Sequence, residues 1–176
     1  MHRGNERTVY TFYILLTTLF VYSGLVGCEK SNRRGWVTQP LHSPGQLGLA
    51  VVDALNQKDI AQLDRLRVQR EEYLDWIWPA FPASRPPNNF PGDFAWSNPN
   101  KRCNIGMKKW IAHFGGHNLK FVDIHFDQLP ETYEGFQLLR GTVLTLQNVA
   151  KEKRELKILG SVVVKNNQYK LLSYED

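Results

Sequence analysis

Leu119-Lys120-Phe121-Val122-Asp123-Ile124-His125-Phe126-Asp127 is the stretch on which the reading of this chain turns. Apolar and polar side chains alternate along it, with the period of two expected of a half-buried strand. The period persists downstream: residues 133–149 and 155–165 predict two long strands, and residues 168–174 a last one. Asn166-Asn167 suits the positive φ angles of a tight hairpin, and residues 149–154 make a looser turn before it. The expectation is an antiparallel meander of about four strands.

Working outward, the period changes to that of helices. Ser43-Pro44 offers an N-cap followed by proline at the first helical position, and Leu47, Val51 and Leu55 follow at four-residue steps. Asp59 caps a second helix, in which Ile60, Leu63, Leu66, Tyr73 and Ile77 fall on one stripe while Arg65, Gln69 and Glu72 face out; Pro79 ends it. Residues 79–100 hold six prolines and four asparagines between Phe81, Phe90, Phe94 and Trp96. They read as a long loop with a short extended piece at residues 93–97. A third helix is predicted over residues 104–114, with Met107, Trp110, Ile111 and Phe114 on one face, and Gly115-Gly116 stops it. Helices first and strands afterwards define the fold class as α+β, N-terminal helices packed on an antiparallel sheet.

The first 28 residues are of another kind. Arg3 and Arg7 precede an apolar run that ends in Leu25-Val26-Gly27-Cys28. Basic lead, apolar core and small residues before a cut are the parts of a secretory signal peptide. This ending resembles the lipobox of bacterial lipoproteins. The resemblance implies fatty acyl chains on Cys28, cleavage before it, membrane lipid as a partner, and a lipid-anchored place in the bacterial cell envelope. For a Gram-negative source, Glu29 after the cysteine implies the outer membrane, facing the periplasm. Read instead as an uncleaved anchor, residues 10–26 lie near the lower length limit of a spanning helix; either way residues 29–176 are exported. The organisation expected is a lipoprotein signal peptide at 1–27, a flexible tether at 28–42 and a single domain at 43–176.

Without residues 1–27, which hold Arg3, Arg7 and Glu6, the chain keeps 149 residues, 20 Lys+Arg and 16 Asp+Glu, for a formal charge of +4. These charges are spread along the chain, no recognition motif accompanies them, and an exported protein rarely meets nucleic acid, so no nucleic-acid partner is expected. With Cys28 acylated, Cys103 is left alone and no intrachain disulfide forms.

Ala54-Leu55-Asn56-Gln57-Lys58-Asp59, leading into Ile60 and Leu63, resembles the helix-Asp-helix opening of the nuclear transport factor 2-like superfamily. The later order of helix and strands, closing on Gly160-Ser161-Val162-Val163-Val164 and Tyr169-Lys170-Leu171, is similar too, so the resemblance spans residues 44–174. It implies a cone, a bent sheet around a long helix with a mostly apolar cavity at the wide end. Members of that family bind small ligands, perform isomerase or dehydratase chemistry, or make only protein contacts, so the fold leaves function open. Gln147-Asn148-Val149-Ala150-Lys151 resembles in part the Gln-x-Val-x-Gly loop of cystatins, proteins of similar layout. Lys151 stands where that loop has glycine, and we assign the match to chance.

The candidate site is an aromatic cavity drawn from Trp76, Trp78, Phe94, Trp96, Trp110, His113 and Tyr133, with residues 79–100 as its lid. The expected function is binding of a small apolar ligand or an envelope protein, without turnover, cofactor or metal. One alternative is a cavity isomerase or dehydratase with His113, His125 or Asp127 as base; another is a structural envelope assembly protein. Asp123, His125 and Asp127 share one strand face, where two carboxylates flanking an imidazole suit base or metal chemistry. Such a polar face is also what an ordinary solvent-facing strand presents.

Overall fold

Ser43 opens the first helix, α1 (Pro44–Gln57), its hydroxyl accepting the Gln46 N–H at 3.1 Å. That bond satisfies one of the amides a helix start leaves unpaired. Leu47, Val51 and Leu55 are buried as their spacing predicts. Lys58 ends the helix at φ 56°, and Asp59 at once caps α2 (Ile60–Arg65) by accepting the Gln62 N–H at 2.8 Å. The computed structural model describes residues 35–175; the signal peptide and Cys28 lie outside them.

The second predicted helix is interrupted. Leu66 and Arg67 close the last helical turn, and the chain then pairs with a strand, Val68 N–H donating to Leu171 O at 2.7 Å and Leu171 N–H to Leu66 O at 3.0 Å. Helix resumes at α3 (Arg70–Glu72) and passes into a π turn (Tyr73–Ile77) and a 3-10 turn (Trp78–Ala80). Pairing with a distant strand edge replaces the helical hydrogen bond of the Val68 amide, and a stripe read within one helix carries no sign of that. Arg67 is only 3% exposed. It donates to Asn100 Oδ1 at 2.7 Å and lies 5.8 Å from the Trp96 ring centre.

The largest correction concerns residues 92–103. They belong to α4 (Gly92–Phe114), a helix of 23 residues that includes the predicted extended piece and contains Pro99 in its interior. An interior proline removes a hydrogen bond and costs about 3 kcal/mol, which local reading weighs heavily. Tertiary burial opposes it, with Cys103 at 1% and Met107 at 2% exposure. Gly106 permits close approach to the C-terminal segment, because a Cβ there would lie 2.5 Å from the Glu175 carbonyl oxygen.

Among the described residues seven short strands replace the expected four: β1 (Lys120–Phe126), β2 (Glu131–Tyr133), β3 (Phe136–Leu139), β4 (Thr142–Gln147), β5 (Lys153–Leu156), β6 (Val162–Lys165) and β7 (Gln168–Leu171). They form two antiparallel sheets, ordered β1-β4-β5 and β2-β3-β6-β7. Each long predicted strand crosses from one sheet to the other at a glycine. Gly141, at φ 65°, separates β3 from β4, and Gly160 lies between β5 and β6. The α+β class and the order of helices before sheets hold. Asn166 and Asn167 adopt φ 51° and 57° at the last hairpin, as expected. A bulge between Phe121 and Asp123 turns Val122 outward, off the apolar face its position predicts.

Glu72 and Lys170 are each 1% exposed, although the stripe placed Glu72 outside. Lys170 Nζ stands 2.8 Å from both Glu72 carboxylate oxygens and donates also to Thr38 Oγ1. Glu72 accepts N–H groups from Val37 at 2.5 Å and Gln69 at 2.7 Å. Trp36 packs edge-on against Trp76 at 4.9 Å, and Leu41 exchanges hydrogen bonds of 3.1 and 2.7 Å with Tyr169. Residues 36–42, expected to belong to the flexible tether, are therefore laid on the domain. Burial pulls the Lys170 ammonium below its usual pKa, while Glu72 pulls the other way.

Alkaline pH exposes a second consequence of burial. Tyr73 is 6% exposed, and loss of hydration pushes its phenol from 10.0 up to about 12. Tyr174, whose hydroxyl donates to Leu63 O at 2.9 Å, is also raised well above the usual value. The folded chain keeps the Tyr73 proton where the unfolded chain loses it. The contribution is full below pH 10 and is lost between 10 and about 12, by roughly 2–3 kcal/mol. Denaturant midpoints at about pH 9 and pH 11 should show a smaller decline for Tyr73→Phe than for the wild type. Equal declines would reject this role.

Candidate functional site

The seven sequence-derived site residues fall into three places. Trp76, Trp78, Trp96 and Tyr133 join Trp36, Tyr73, Phe81 and Phe136 in an aromatic cluster. Their rings fill the space between α3, the segment after it and the four-stranded sheet. Trp76 meets Phe136 at 5.8 Å, Tyr73 meets Trp96 at 5.2 Å, and Phe81 meets Tyr133 at 4.8 Å. These are edge-on and tilted contacts of the kind that stabilise cores. Trp110 packs on the other core, stacked on Phe114 at 5.9 Å, and His113 stands exposed beside it, 6.1 Å from the Trp110 ring centre. Phe94 is 65% exposed on α4. The seven therefore line no common cavity, and residues 92–100 are helix rather than lid.

Tyr133 retains a polar tip. Its hydroxyl donates to Glu131 Oε2 at 2.6 Å, and Arg140 Nε stands 2.6 Å from Glu131 Oε1. The hydrogen bond from Tyr133, then that from Arg140, holds the Glu131 carboxyl below the usual carboxylate range.

Asp123, His125 and Asp127 share one exposed face of β1, as alternation predicts. His125 Nε2 stands 3.4 Å from Asp127 Oδ1, and its Nδ1 stands 3.9 Å from Asp123 Oδ2. Asp127 is also held by Lys157, whose ammonium donates at 2.9 Å and lowers the carboxyl pKa. Among the described residues no group of three or more His, Cys, Asp and Glu is set to hold a metal ion. His113 is likewise exposed, its Nδ1 lying 2.9 Å from Lys109 O.

Where the two sheets part at Gly141 and Gly160, a cleft of about 350 Å³ opens against α4. Lys109, Trp110, Gly141, Thr142, Lys157, Leu159, Gly160 and Glu175 line it. The positive φ of Gly141 makes the corner, and a Cβ there would lie 3.1 Å from the Asp127 side chain. Thr142 Oγ1 donates to Gly160 O at 2.7 Å, tying the two corners together. Trp110 is fixed by donating from Nε1 to Glu175 O at 2.6 Å, and the Lys109 ammonium stands 4.6 Å from its ring centre. Lys109, Lys157 (already paired with Asp127) and Glu175 give the indole a surround of mixed charge, which suits a small polar ligand with a flat apolar part.

Of this cleft, sequence reading singled out Trp110 and missed the rest. Gly141 and Gly160 were the available signal, since a glycine inside a strand run marks a bend or a close backbone approach. Comparison with protein-family models, curated proteins and solved structures finds no match to the chain. No described helix is long and apolar enough to cross a membrane.

Proposed function

We propose that this chain is an exported lipoprotein, anchored in the bacterial cell envelope through acyl chains on Cys28, whose domain binds a small amphipathic ligand at the corner cleft. The domain is read as a nuclear transport factor 2-like cone. That reading is supported by the order of helices before sheets, and by two strand runs that bend from one sheet into the other. The observation that carries the binding role is the meeting of Trp110, Lys109 and Lys157 in a cleft of about 350 Å³, a volume in the range of small-molecule sites. The role is binding rather than turnover, because among the described residues no His or Cys lines the cleft and its one hydroxyl, that of Thr142, donates to Gly160 O instead of to a base.

Native mass spectrometry of protein purified from the membrane fraction tests both parts. Acylated Cys28 with residues 1–27 removed is expected, together with a small-molecule adduct that Trp110→Ala and Lys157→Glu each reduce by about tenfold. An intact N-terminus on a membrane-bound Cys28→Ala variant rejects the anchor. An adduct retained in both cleft variants rejects the site.

A further inference from the structure

Phe94, Asn98, Lys101, Ile105, Lys108 and Ala112 recur along α4 at alternating steps of four and three, and all six are exposed. That spacing places them on one face of the helix. Phe94 is 65% and Ile105 50% exposed. Phe90, itself 42% exposed, meets Phe94 edge-on at 5.2 Å and extends the apolar end of this face. The helix carries four Lys and Arg residues against one acid, Asp93, which is engaged by Arg70 at 2.5 Å. Phe94 and Ile105 among lysines, with no acid between them, present apolar and cationic groups together on one exposed face, a combination that anionic headgroups and the acyl boundary beneath them complement.

The geometry points to this face of α4 as a docking surface for an anionic lipid bilayer. The inference rests on the proposed acylation of Cys28, and the chain's entry into the domain supports it. Residues 36–42 are bound to the domain, so the length of chain from Cys28 to Trp36 lets the domain lie at most about 28 Å from the acylated sulfur. Trp36 packs on Trp76, and Tyr73, within the same π turn, packs on Trp96 near the start of α4. Trp78, of the same aromatic cluster as Trp36, meets Phe90 at 6.2 Å, so ring contacts run from the point of entry to the Phe90–Phe94 pair. Lipid headgroups supply the negative charge that Lys101 and Lys108 complement, and the interfacial acyl region accommodates Phe94 and Ile105.

The test uses the native lipoprotein reconstituted into vesicles of phosphatidylcholine, with or without phosphatidylglycerol, both containing a headgroup-borne quencher. A fluorophore is placed at Ile105→Cys or at Glu155→Cys, which lies on the sheet face turned away from buried Leu144 and Leu146. Cys103 is 1% exposed and stays unlabelled. In the anionic vesicles the label at position 105 should be quenched about twofold more than that at 155. Lys101→Glu combined with Lys108→Glu should abolish the difference. Equal quenching at the two sites on protein with an acylated Cys28 overturns the docking and leaves the anchor standing. A bare thiol at Cys28 removes the anchor and this inference with it, and a difference that survives the double lysine change also overturns the docking.

Discussion

Lys170→Met lowers the free energy of unfolding by about 3–5 kcal/mol, the scale expected when one partner of a buried ion pair is removed. Glu72 would then be left with only backbone N–H donors, those of Val37, Thr38 and Gln69, around it. The loss should be shared between the core and the entry segment, because Lys170 also bonds Thr38 and lies 5.4 Å from the Trp36 ring centre. Denaturant unfolding measures the first part, and amide exchange of residues 36–42 the second. Replacing both partners, Glu72→Leu with Lys170→Leu, should recover much of the loss, since two apolar side chains leave no stranded charge. A single-variant change below about 1 kcal/mol, with exchange at residues 36–42 unaltered, would show that the pair does not hold the segment.

Trp76→Ala should cost about 3–5 kcal/mol without weakening ligand capture at the corner cleft. Trp76 is 6% exposed, edge-packed on Trp36 and Phe136, with the Lys165 ammonium 4.1 Å from its ring centre. Removing the indole leaves a void among rings that already pack against one another, and close-packed interiors relax only in part. Thermal and denaturant unfolding read the stability, and native mass spectrometry reads the adduct. Loss of the adduct with stability unchanged would restore Trp76 to a binding role and refute its place as core. The pair of outcomes therefore separates the aromatic cluster from the cleft.

Much of the helical layer was legible from residues near one another in the chain. Ser43 and Asp59 cap the helices they precede, and Leu47, Val51 and Leu55 are buried. Met107 is buried and Trp110, Ile111 and Phe114 pack beside it. Helix α4 was half hidden, because six prolines in residues 79–100 mask the helix start at Gly92. The candidate site was less legible still. Aromatic residues with similar spacing went to two separate clusters, and the cleft draws residues from α4, both strand corners and the C-terminal segment.

What the sequence by itself determined were the α+β class, the caps, the Asn166-Asn167 hairpin and the polar face of β1, all set by interactions spanning a few residues. Only tertiary structure decided that Glu72 turns inward, that Gly141 and Gly160 pass strands between two sheets, and that Pro99 lies within a helix. Each of these depends on partners far along the chain, as with Lys170, 98 residues beyond Glu72. Burial against such partners outweighs local preference, because removing apolar surface and charge from water involves larger free energies than helix propensity does.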